Sequence, residues 1–120
     1  MLEIRHYVTL RGDDPFGDWL DTMRDRNAAY KIIARVNRLA LGNPGDSRAL
    51  DGGVFELRVN VGPGYRVYFA RVGKVIMLLL CGGDKSTQQK DIDHAKRNLK
   101  DYQSREAAQK GKRTGREPPS

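Results

Sequence analysis

The sequence predicts an α+β protein, a small antiparallel twisted sheet with an N-terminal strand, an α-hairpin, a three-stranded meander and a C-terminal helix. Three observations predict it. Residues 2–10, LEIRHYVTL, alternate with period two. Residues 16–40 carry apolar stripes at helical spacing. Three strand-like runs, 54–61, 65–72 and 74–81, are punctuated by Gly62-Pro63-Gly64 and by Gly73.

In the first run Leu2, Ile4, His6, Val8 and Leu10 share one face, as in a strand packed on one side. His6 on that face reads either as a general base or as a hydrogen-bonded core residue. Asp14-Pro15 is a helix start, because the carboxylate caps free amides and proline's fixed φ suits the first helical position. Phe16, Trp19, Leu20 and Met23 make the first stripe. After a turn near Asn27, a second stripe of Ile32, Ile33, Val36, Leu39 and Ala40 runs to Gly42 and Pro44. Lys31, Arg35 and Arg38 form a basic ridge on this second helix, either a solvated face or a contact for an RNA backbone.

The segment 43–53, NPGDSRALDGG, is rich in turn formers and reads as a connecting loop. The run VIMLLLC is apolar without alternation, which suits a central strand covered on both faces. Ser86 and Gln89 have capping-box spacing ahead of a helix whose apolar side is Ile92, Ala95, Leu99 and Tyr102. Beyond it the composition turns polar. Residues 104–120 read as a basic tail, disordered from about Lys110.

The 120 residues fit one domain with a single hydrophobic core. Its 22 basic and 15 acidic residues give a net charge of +7, of which +3 falls in 104–120. That excess favours a polyanionic partner. Lone Cys81 cannot form an intramolecular disulfide and reads as a buried small hydrophobe in a reducing compartment, so a cytoplasmic location is expected. There is no apolar segment of signal-peptide or membrane-spanning length, and a membrane role is not expected.

If Gly62-Pro63-Gly64 is a three-residue loop, Val61 faces Tyr65, Val59 faces Val67 and Leu57 faces Phe69 toward the core. The other face then pairs Asn60 with Arg66, Arg58 with Tyr68 and Glu56 with Ala70. Arg58 and Arg66 on one surface are close enough to hold a phosphate, or to be neutralised there by Glu56 and Asp84. Gly82, Gly83, Asp84 and Lys85 follow at the strand end, where glycines let a backbone approach a ligand and helix amides favour anions. The Walker spacing is absent.

GPGYRVYF followed by LLLCGGDKSTQQKDI resembles the addiction-module killer proteins of the RelE/ParE superfamily, close to HigB-type and phage-derived Gp49-like toxins. The resemblance covers about residues 1–102 and implies a RelE-like toxin domain at 1–103. It further implies the toxin of a type II toxin-antitoxin system: a metal-independent, ribosome-dependent mRNA endoribonuclease, with no cofactor, acting on ribosome and mRNA. A cognate antitoxin of helix-turn-helix DNA-binding type would cover its basic face. In relatives, sheet positions like Arg58 and Arg66 supply cations, and Arg66 in GYRVY is the firmest match. Lys85 is then the strand-end cation, Asp84 a proton acceptor or an orienting partner, and Tyr68 a base-stacking or hydrogen-bonding group. Glu56 stands where some relatives have lysine. His94 is a further acid or base candidate, or a solvated residue. The alternative within the superfamily is a ParE-like inhibitor of DNA gyrase, acting by binding without RNA cleavage.

Overall fold

The computed structural model describes the backbone of residues 1–116 and the side chains of residues 1–110. Its elements are β1 (Glu3–His6), α1 (Pro15–Asp21), α2 (Arg26–Ala40), β2 (Ser47–Ala49), β3 (Phe55–Val59), β4 (Tyr65–Val72), β5 (Ile76–Asp84) and α3 (Gln88–Arg116). The strands form one sheet in the order β1-β5-β4-β3-β2. This α+β architecture is compatible with a RelE-like fold. Two details differ from expectation. β1 runs parallel to β5, so the sheet is mixed; the whole α-hairpin joins β1 to the rest, and such a long connection leaves strand direction free where tight hairpins do not. And the expected loop 43–53 contains β2, which extends the sheet beside β3.

Alternation along β3 and β4 sorts side chains onto two faces. Leu57, Val59, Val67 and Phe69 pack with Phe16 and Leu20 of α1 and with Ile32 and Val36 of α2. On the other face Tyr68, Ala70, Leu78 and Leu80 pack with Ala95 and Leu99 of α3. Central β5 is therefore covered on both sides, as its unalternating composition predicts.

A β-bulge interrupts β5. Tyr68 pairs with Cys81 and Phe69 with Leu79, so Leu80 is the extra residue. Leu80 and Cys81 consequently both join the α3-side cluster, and alternation inverts beyond them. Gly82 then lies against the ring of Trp19, and Gly83 against the carboxylate of Asp91. A Cβ at either position would overlap those groups. The two glycines thus admit a tryptophan and an aspartate, not a ligand. Gly82→Ala is expected to destabilise the fold by about 1–3 kcal/mol through overpacking, read as a lower urea midpoint.

The helix ends explain several boundaries. Asp14 caps α1, its Oδ1 accepting from the Gly17 amide at 3.0 Å, and Asp25 caps α2 through the Ala28 amide at 3.1 Å. The Ser86/Gln89 capping box does not form. Instead Asp84 accepts from the Ser86 amide at 2.8 Å and from its hydroxyl at 2.5 Å, holding a 3₁₀ turn at Lys85–Thr87 ahead of α3. β1 ends at His6 because Tyr7 turns inward, its hydroxyl donating to Asp101 Oδ2 at 2.6 Å, while Val8 and Leu10 are exposed.

α3 does not stop at Tyr102. Arg105 donates to the Val8 carbonyl at 2.6 Å and to Asp101 at 2.7 Å, with its guanidinium 5.4 Å from the Tyr7 ring centre. Residue 103 therefore lies inside a helix whose next turn contacts the segment that follows β1. The helix is described as far as Arg116; the tail expected to be disordered continues through residues 117–120, which lie outside the described residues.

Candidate functional site

The β3–β4 hairpin closes two residues earlier than a three-residue loop would allow. Val59 pairs with Tyr65, Arg58 with Arg66, Leu57 with Val67 and Glu56 with Tyr68. Gly62 and Gly64, at φ of 52° and 83°, take left-handed conformations that widen the turn. A slip of two residues keeps every side chain on its expected face. It changes the partners, however, and sets Arg58 directly opposite Arg66.

Glu56 organises this surface. Its side chain is wholly buried, and three arginines reach it. Arg48 of β2, paired with Glu56 across the strands, donates from Nε to Oε1 at 3.1 Å, and Arg58 Nε donates to the same oxygen at 3.1 Å. Gln88 of α3 donates to Oε2 at 2.9 Å, and Arg66 Nε lies 3.6 Å from that oxygen. Burial pushes the Glu56 carboxyl up, but the hydrogen bonds from Gln88, Arg58 and Arg48 outweigh it and hold it below the usual range. One carboxylate thus faces three guanidiniums. The surplus is two positive charges.

Arg58, Arg66 and Lys85 line one open polar cleft of about 420 Å³ with Asp46, Asn60 and the Gly62–Gly64 turn. The Lys85 amide donates to the Gly64 carbonyl at 3.0 Å, tying the end of β5 to the hairpin. Asp84 is occupied as a cap; its hydrogen bonds from Ser86 lower its carboxyl pKa. Lys31, Arg35 and Arg38 line a separate groove between α2 and residues 59–61. The two depressions share Asn60.

Tyr68 sits beneath the cluster with no exposed surface, leaving no ring face for a base to stack on. Burial first, then the neighbouring Glu56 charge, pushes its phenol well above the ordinary value. Its hydroxyl finds no hydrogen-bond partner among the described residues. Because an unsatisfied buried hydroxyl contributes nothing, Tyr68→Phe is expected to leave the melting temperature unchanged or slightly higher, measured by thermal unfolding.

Residues 18–100 match the family model described as Phage derived protein Gp49-like (DUF891). The chain belongs to the Gp49-like family. The family is toxin-like and related to RelE, and a toxin family implies an antitoxin partner in general. A protein of Haemophilus influenzae, itself uncharacterized, is 51% identical over 81 residues, spanning 68% of this chain and 82% of that protein. The family match spans every residue of the Glu56 cluster and its cleft.

Neither histidine of this Gp49-like protein lines the cleft. His6 belongs to β1 at the opposite sheet edge, with Nδ1 2.8 Å from Asp14 Oδ2, and His94 is half-buried on α3. Two members of the site were missed from sequence. Arg48 lies in a strand of three residues, too short for periodicity to show, and Gln88 belongs to no motif that marks it. Among the described residues, no helix is long and apolar enough to cross a membrane.

Proposed function

We propose that this Gp49-like protein is the toxin of a type II toxin-antitoxin pair, of HigB type, and cleaves translated mRNA on the ribosome. The observation that carries the reading is the convergence of Arg58, Arg66 and Lys85 on one cleft with surplus positive charge. In the reaction the ribose 2′-oxygen attacks the adjacent phosphorus, a new P–O2′ bond forms and the P–O5′ bond breaks. The products are a 2′,3′-cyclic phosphate and a free 5′-hydroxyl. Arg58 and Arg66 stabilise the doubly charged phosphorane, and Lys85 supplies the proton to the leaving O5′. Asp84, engaged by Ser86, acts as the orienting partner of the Lys85 turn, and the 2′-hydroxyl proton passes to water, so charge stabilisation carries most of the rate. Lys31, Arg35 and Arg38 hold flanking backbone past Asn60. Tyr68 supports the arginines from below. A helix-turn-helix antitoxin covers the cationic cleft until it is degraded, in a complex weakened by salt.

Primer extension on mRNA in a cell-free translation reaction tests this: added protein should produce cuts that require translation, and intact mRNA would reject it. One observation favours the gyrase-binding alternative. The buried carboxylate at the centre of the cluster is fully engaged and no imidazole lines the cleft, which suits a surface that only binds. Inhibited supercoiling with translated mRNA left whole would select it.

A further inference from the structure

We propose that Arg48 acts with Arg58 and Arg66 as a third phosphate-gripping cation, and that Glu56 is the positioning residue that aims all three. The ligand class, a backbone phosphodiester, rests on the function proposed above. The geometry points to a device built before the ligand arrives. A buried carboxylate is satisfied by one guanidinium and one or two further donors; this one gathers side chains from β2, β3, β4 and α3. Arg66 is 8% exposed, lines the cleft, and its Nε has no hydrogen-bond partner among the described residues.

Arg48 and Arg58 meet Glu56 through Nε. That contact uses one of five N–H donors on each guanidinium and leaves the Nη donors outside it, the donors that bind phosphate in pairs. Held by one carboxylate, the flexible side chains give up their rotamer freedom on folding, so a phosphate meets donors already in place. Arg48 extends this row from the cleft to the sheet edge, with about half of its side chain exposed.

The sign of one substitution separates positioning from mere neutralisation. Glu56→Gln removes a negative charge beside the site, so a simple counter-charge role makes phosphate bind more tightly. Positioning makes it bind more weakly. The experiment is an NMR titration of the full chain with inorganic phosphate, following the arginine Nε–Hε signals. Weakening of about fivefold or more is expected for Glu56→Gln and about threefold for Arg48→Ala, as loss of preorganised bidentate donors implies. Equal or tighter binding by folded Glu56→Gln overturns the proposal. Should that variant fail to fold by circular dichroism, Arg48→Ala on the exposed edge decides, and unchanged affinity there overturns it. Wild type whose arginine signals ignore phosphate overturns it even if mRNA is cut. Glu56-dependent binding alongside intact translated mRNA upholds it and rejects the nuclease reading instead.

Discussion

Glu56→Ala is expected to destabilise the protein by about 3–5 kcal/mol, because it leaves buried positive charge without its partner. Arg66 is the reason for the size of the effect. Arg48 and Arg58 can swing toward solvent, with side chains 52% and 35% exposed, whereas Arg66 at 10% cannot. Urea unfolding at neutral pH measures the loss, and a change under about 1 kcal/mol would mean that the carboxylate is not what holds these side chains. The same group sets an acid limit. Its folded pKa lies below the ordinary 4.5, so the folded state binds its proton later than the unfolded chain does. Its contribution is whole above 4.5 and drains away as pH falls through the lowered value. Unfolding free energy measured from pH 6 downward should therefore fall less steeply for Glu56→Gln than for wild type; parallel curves would contradict the assignment.

Arg66→Ala should lower translation-dependent mRNA cleavage by about 10²- to 10³-fold, the usual consequence of losing one donor to a charge that develops in the transition state. Of the cleft's two arginines, Arg66 is the more buried and the less committed to Glu56, at 3.6 Å against 3.1 Å for Arg58. It therefore has the more interaction to gain from a phosphorane. The variant keeps the other two arginines on Glu56 and should stay folded, which circular dichroism checks. Wild-type cleavage by a folded Arg66→Ala protein would remove this cleft from the chemistry.

The helices and the meander were legible because their apolar residues follow the period of the element. The capped start of α1, most of the two stripes before Gly42 and the turn at Gly73 reappear in the fold, although Ile33 is exposed and Met23 lies beyond the end of α1. What failed was local detail with two competing solutions. Ser86 and Asp84 both offer an oxygen to the same turn, and the aspartate wins by accepting from the serine's own amide and hydroxyl. The Gly62-Pro63-Gly64 signal marks a turn without stating its length. The bulge at Leu80 has no signal in an unbroken apolar run, yet it sends Gly82 toward Trp19 and Gly83 toward Asp91.

For the site, pleating together with the burial of the alternate apolar residues determined that Glu56, Arg58, Arg66 and Tyr68 share a face, since a slip of two residues keeps the faces and a slip of one would bury the arginines. Tertiary structure decided what that face is. Folding β2 against β3 brought Arg48 onto Glu56, α3 brought Gln88 over it, and together they buried the carboxylate that a lone hairpin would leave in water. Which charges meet depends on contacts between residues far apart in the chain, and no pattern along a single strand encodes them.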